Sequence, residues 1–341
     1  EIVDCDWSSD VFSSDLKIMN IKKIGLTALA GSMVALSAVA GELSVSGSMN
    51  MTHSSYSGNQ DATDVASGIG IENAVFASGS VELDSGYVVS LTQGINNSTS
   101  TYLSVDMGDL GSLSYVQTDA SGGLEALDDM MPTAYEEVSD GLDGTATTGT
   151  YTIAKFAHTS GFAYSNTVGG ATVGLTFSDG GSTAAVGDGG IDTAASTNSS
   201  TSIGVTYPVA DTGLTVFGGV GTMGQADGKE IDSEIIGAKY AFGPVTVGYQ
   251  VNTNDDSDSS VKDLETEMAS IAFNINENMA ISYGIQDTDN GSGVDQEATG
   301  ISASYTMGAL SLKAYKNEVD NSGHTSGATS EKTEISLAVA F

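Results

Sequence analysis

Seven carboxylates (Glu125, Asp128, Asp129, Glu136, Glu137, Asp140 and Asp143) fall within the 22 residues GGLEALDDMMPTAYEEVSDGLD, residues 122–143, with no Lys, Arg or His among them. Carboxylates gathered beside a water-filled path attract cations, which is how rings of Asp and Glu select ions in channels. Most charge runs are solvated loops, but this one also carries apolar residues at helix-like spacing: Leu124, Ala126, Leu127, Met130 and Met131. Leu124, Leu127 and Met131 are spaced to dock on a wall, and Pro132 ends a short helix after Met131 because the residue before proline disfavours the helical region. The acids then face water.

Other chemistries find less support. Gly219-Val220-Gly221-Thr222-Met223-Gly224 matches GxGxxG, but a dinucleotide site needs a helix next, whose N-terminus meets the pyrophosphate. A polar stretch follows instead, so the match is read as chance in a chain with 43 Gly. Asp287-Thr288-Asp289-Asn290-Gly291 resembles the start of a calcium loop, yet Ser292 and Ala298 stand where Gly and Glu are required. Asp287, Asp289 and Asp295, or Asp255, Asp256 and Asp258, are read as solvated loop acids with at most weak cation binding. The three His (His53, His158, His324) lack ligand spacing. Without a nucleophile elbow or a paired Ser/His arrangement, no catalytic constellation, metal or cofactor is expected, and the chain is not read as an enzyme.

Processing signals come first in the chain. Residues 1–18 hold the single Cys (Cys5) and the single Trp (Trp7) and are read as a non-native or upstream segment. Residues 19–40 have the order of a secretory signal peptide: Lys22 and Lys23, a small-residue apolar stretch, then Ala38-Val39-Ala40. The remaining residues, 41–341, hold 7 Lys and no Arg against 39 acids. That balance excludes nucleic acid, whose binding rests on cationic side chains neutralising phosphates. No apolar run after the leader approaches the roughly 18 residues of a spanning helix, so a membrane reading requires a barrel.

Short alternating segments supply one. Leu43, Val45, Gly47, Met49 and Met51 alternate with Ser and Asn, and the same pattern returns at Val75 to Leu83, Val89 and Leu91, Leu103 and Val105, and Leu113 and Tyr115. Beyond residues 122–143, one long segment spans 151–166 with a bulge near 159–161. Further strands centre on Val173, Val205, Val216, Ala238, Val247, Phe273, Ile281, Ala303, Leu312 and Leu337. The count is 16, joined by seven tight turns and eight longer loops. An even count with turns on one side and loops on the other is the pattern of a transmembrane barrel. The expected fold is therefore all-β, a 16-stranded antiparallel transmembrane β-barrel, with the third loop folded inward. Phe341 closes the ring against the strand beginning near Leu43, and Lys155, Lys239 and Lys313 are the candidate basic residues of the lumen, since charge is costly on the lipid face.

The stretch LDDMMPTAYEE, residues 127–137, resembles the inward-folded constriction loop of the sixteen-stranded general-diffusion porins of alphaproteobacteria, and it occurs in the same place, after the fifth strand. The resemblance runs over residues 41–341. It implies a homotrimer in the outer membrane of a Gram-negative bacterium, in contact with lipid, passing ions and small hydrophilic solutes. Members of that family set loop acids against a basic cluster on the facing wall, whereas residues 41–154 here contain no Lys or Arg. The leading reading is a passive, cation-preferring pore; a solute-selective channel and a non-conducting adhesion barrel are the alternatives. Mass spectrometry of the exported protein is expected to find Gly41 as its first residue, and retention of Met19 would refute the leader.

Overall fold

The computed structural model describes residues 43–59, 67–95, 101–116, 122–138, 142, 161–178, 199–225 and 228–341. The strands are β1 (Ser44–Gly58), β2 (Gly68–Glu82), β3 (Val88–Gly94), β4 (Thr101–Asp106), β5 (Ser112–Val116), β6 (Gly161–Val168), β7 (Ala171–Ser178) and β8 (Ser200–Pro208). They continue with β9 (Leu214–Gly224), β10 (Glu230–Phe242), β11 (Val245–Asp256), β12 (Leu264–Asn276), β13 (Met279–Asp289), β14 (Gln296–Met307), β15 (Leu310–Asp320) and β16 (Thr329–Ala340). Each strand pairs antiparallel with its sequence neighbours, and β1 pairs with β16, so the sheet is a closed barrel of sixteen strands. The tight turns use glycine where the backbone demands it: Gly169 and Gly170, between β6 and β7, have φ of 60° and 85°. Two consecutive positive φ values give the turn whose twist matches the flanking strands.

Alternation sorts the side chains. Outward positions carry large apolar residues left exposed, such as Met49, Ile71, Leu91, Ile236, Tyr283 and Ile301. Inward positions carry Ser, Thr, Asn, Gln and Gly, with Gln250, Asn252, Thr266 and Thr288 buried. The ring closes at the last residue: Gly47 N donates to Phe341 O and Phe341 N donates to Gly47 O, both at 2.9 Å. The Phe341 ring lies across Gly47 on the outward face, where a Cβ would stand 2.6 Å from its Cζ.

Many strands are longer than their apolar alternation announces. The reading of residues 252–262 as a loop gives way to a connection of residues 257–263 only, with Asp255 and Asp256 inside β11. The physical reason is that Glu265, Glu267, Asp287 and Glu297 occupy outward positions and stay exposed. There both faces are polar, and the period-2 signal vanishes although the hydrogen-bond ladder continues. Residues 219–224, matching GxGxxG, lie within β9. The segment expected at 151–166 is described only from Gly161 onward, so its earlier part and most of the expected bulge fall outside the described residues.

Deleting residues 335–341 removes pairing to both β15 and β1. Such a truncation is expected to abolish the heat-modifiable, SDS-resistant species on a gel, because an open edge in hydrocarbon leaves several backbone groups unsatisfied at several kcal/mol each.

Candidate channel constriction

The acidic stretch contains one short 3₁₀ helix, Glu125–Met130, after which Met131 turns to extended backbone at φ −70° and ψ 137° ahead of Pro132. Leu124, Leu127 and Met131 are buried together with Phe217 of β9, Ile235 of β10 and Met268 of β12. All three partners lie on the face opposite the exposed apolar one. The bed beneath is made of glycine. Gly174, Gly204 and Gly219 stand side by side across β7, β8 and β9. A Cβ at Gly204 would overlap Gly123 O, one at Gly174 would lie 2.9 Å from Gly123 N, and one at Gly219 would lie 3.0 Å from Leu124 Cδ1. Leu124 N donates to Ser202 Oγ at 3.0 Å, which fixes the entry of the helix.

The seats continue round the wall. Pro132 lies over Gly248 of β11, where a Cβ would be 2.5 Å from its Cδ. Ala134 N donates to Ser282 Oγ at 2.9 Å and Tyr135 N to Ser302 Oγ at 3.1 Å. Val138 lies over Gly284 and Gly300, and Leu142 packs with Val138, Ala298 and Val319. Among the described residues the stretch therefore runs along the polar, inward face from β6 to β16, and none of these seats lies on β1 to β5.

A polar knot holds its middle. Tyr135 Oη donates to Glu334 Oε1 at 3.1 Å, and Glu334 Oε2 accepts from Ser54 Oγ at 2.8 Å and Lys332 Nζ at 3.1 Å. Lys313 Nζ sits 4.8 Å above the Tyr135 ring, a cation–π distance. Tyr315 lies 5.6 Å from that ring, and Lys332 Nζ is 5.4 Å from Tyr315 and 5.3 Å from Tyr56. Burial, with the neighbouring Glu136 and Glu334 charges adding to it, pushes the Tyr135 phenol up to about 12. It stays protonated and donating throughout the neutral range.

The sequence-derived site residues land unevenly. Glu125 and Asp128 are half-buried on the 3₁₀ helix, which also contains the Asp129 backbone, and Glu136 is half-buried beyond it. Glu137 departs from the expectation that it faces water. It is buried, its carboxylate accepts from Met131 N at 3.1 Å, and Asn317 Nδ2 donates to its backbone O at 2.8 Å. Its charge braces the loop instead of lining a path. Asp140, Asp143 and Lys155 lie outside the described residues. Lys239 and Lys313 occupy inward positions, Lys239 paired in register with Gly248 beneath Pro132. Lys332, Glu334, Tyr315 and the glycine bed were missed. The usable signal was the polar start of the last strand, where Ser330, Lys332 and Glu334 alternate ahead of Ile335. Asp258, considered for cation binding, is taken up by Lys229, which with Ser260 holds its carboxyl well below the usual range. Among the described residues no group of three His, Cys, Asp or Glu is placed to hold a metal ion.

No family model and no curated protein matches the sequence. Solved structures similar in fold are porins and other outer-membrane proteins. One porin structure has 16% sequence identity and a TM-score of 0.64, covering 88% of this chain and 100% of its own. An anion-selective porin from Comamonas acidovorans has 13% identity and a TM-score of 0.64 over 88% of this chain and 100% of its own. An outer-membrane protein of Vibrio cholerae has 14% identity and a TM-score of 0.59 over 90% and 99%. At such identities the likeness establishes the fold, which is that of the sixteen-stranded porins.

Gly204→Val is expected to lift Gly123 off its seat, and Leu127→Ala to cost roughly 2–5 kcal/mol of docking, as for a leucine lost from a core. Both should speed hydrogen exchange across residues 124–138 while the strands keep their protection. Unchanged exchange in Gly204→Val would contradict the glycine seat.

Proposed function

We propose that this chain is an outer-membrane porin: a passive, water-filled and cation-preferring pore for ions and small hydrophilic solutes, with no enzymatic role. The observation that carries the reading is the loop packed along the polar inner wall of a closed barrel whose outer face is apolar. Such a segment narrows a lumen without filling it. On this reading residues 1–18 are non-native, 19–40 are a removed leader that exports the protein in a Gram-negative bacterium, 41–341 are the barrel domain, and 122–143 are its constriction loop.

Selectivity follows from side chains, because the Comamonas acidovorans porin described as anion-selective shares this fold. Here the candidate pore acids are Glu125, Asp128, Asp129 and Glu136, with Asp140 and Asp143 beyond them. A carboxylate 4 Å from a passing ion contributes about 1 kcal/mol in bulk water and about 4 kcal/mol at an effective dielectric of 20. The candidate lumen cations Lys155, Lys239 and Lys313 are fewer, and Lys332 is neutralised by Glu334.

A homotrimer is the assembly implied by the resemblance of residues 127–137 to the constriction loop of general-diffusion porins.

In a planar bilayer the purified protein is expected to conduct steadily, with a reversal potential on the cation side across a salt gradient. Replacing Glu125, Asp128, Asp129 and Glu136 together by their amides should move that potential toward zero while Glu137 keeps the loop docked. Absence of conductance would favour the adhesion barrel, and an anion-selective wild type would rule out the cation preference.

A further inference from the structure

Among the described residues, the wall of β1 to β5, on which the loop has no seat, carries charge of one sign only. Register places Glu72 opposite Asn50, and Glu82, Val88, Asp106 and Ser112 in one row on the same inward face. Glu82 and Asp106 sit at the strand ends that bear the short turns, and Asp106 Oδ1 is engaged by Gly108 N at 2.9 Å. Glu72 stands apart from both. It lies well within the long β2 strand and is exposed.

Its height in the lumen is set by a chain of contacts. The Tyr135 hydroxyl donates to Glu334, which lies one inward position before Ser336 on β16. Ser336 Oγ donates to Asn50 Oδ1 at 2.6 Å, and Asn50 is the register partner of Glu72. Going round the ring from the docked loop, Glu72 is thus the next charged inward side chain among the described residues. Glu125 and Asp128, on the helix seated against β8 and β9, lie close to halfway round the barrel from it.

We propose that Glu72 is a specificity-determining residue of the pore, a carboxylate on the uncovered wall that works with the loop acids so that cations pass between two negative surfaces. This rests on the pore reading above. It makes the field across the aperture one of common sign, in place of acid set against base. The ligand class is an inorganic cation or a small cationic solute; no fixed binding site is implied.

Single-channel recording of Glu72→Gln in a potassium chloride gradient tests it. The variant is expected to keep a steady conductance while its potassium-over-chloride permeability ratio falls by about threefold or more, the effect of one charge about 7 Å from the ion path in water. A conducting Glu72→Gln channel with the wild-type ratio would overturn the proposal. Loss of conductance in the wild type would instead remove the pore reading itself. Should Glu72→Gln not assemble, Glu72→Cys offers a second route, since residues 41–341 contain no other cysteine. A sulfonate-bearing thiol reagent should raise its ratio and an ammonium-bearing one lower it. An unreactive or indifferent thiol, or failure of both variants to assemble, would count against the assignment.

Discussion

Every backbone N–H and C=O that faces hydrocarbon has to find its partner within the protein, because no water is there to supply one. For a chain with no helix long and apolar enough to cross a membrane among its described residues, a closed sheet is what meets that demand. The closure is made by residues almost three hundred positions apart, with Gly47 and Phe341 exchanging both backbone bonds. The apolar belt outside and the hydroxyl and amide lining inside then follow from the two-residue period of a strand.

A polar lining is a poor surface for a loop to adhere to, and glycine solves this. At Gly174, Gly204, Gly219, Gly248, Gly284 and Gly300 the absent side chains let the loop backbone and its Leu, Met, Pro and Val side chains reach the wall directly. Phe217, Ile235 and Met268 supply the apolar contact that the glycines leave room for. The abundance of glycine thus has a local purpose beyond turns. The GxGxxG match belongs to it, for Gly219 is a seat for Leu124 and not a phosphate cradle.

Charge is distributed with the same economy. The inward lysines Lys313 and Lys332 are drawn into the knot around Tyr135, one against its ring and the other against Glu334. Cations are thereby held beneath the loop, and the open wall is left to carboxylates. This differs from the acid-against-base arrangement implied by the resemblance of the loop to those of general-diffusion porins. It also ties loop position to barrel closure, since Glu334 accepts from the loop, from β1 and from its own strand.

The sequence by itself determined the strand number, the short turns, the place of the loop and the docking side of Leu124, Leu127 and Met131. Periodicity and proline are local properties, legible over a few residues. Only the tertiary structure decided that strands such as β12 run on into polar ends, because there both faces are hydrophilic and no apolar rhythm marks them. It alone decided that Glu137 turns inward, that Gly204 bears the loop, and that Ser54, Tyr135 and Glu334 meet. Those contacts depend on register carried round a ring of sixteen strands, which joins Ser54 to Glu334 across 280 residues. A one-residue slip would turn each of these side chains to the other face, and no local pattern encodes that accumulated register.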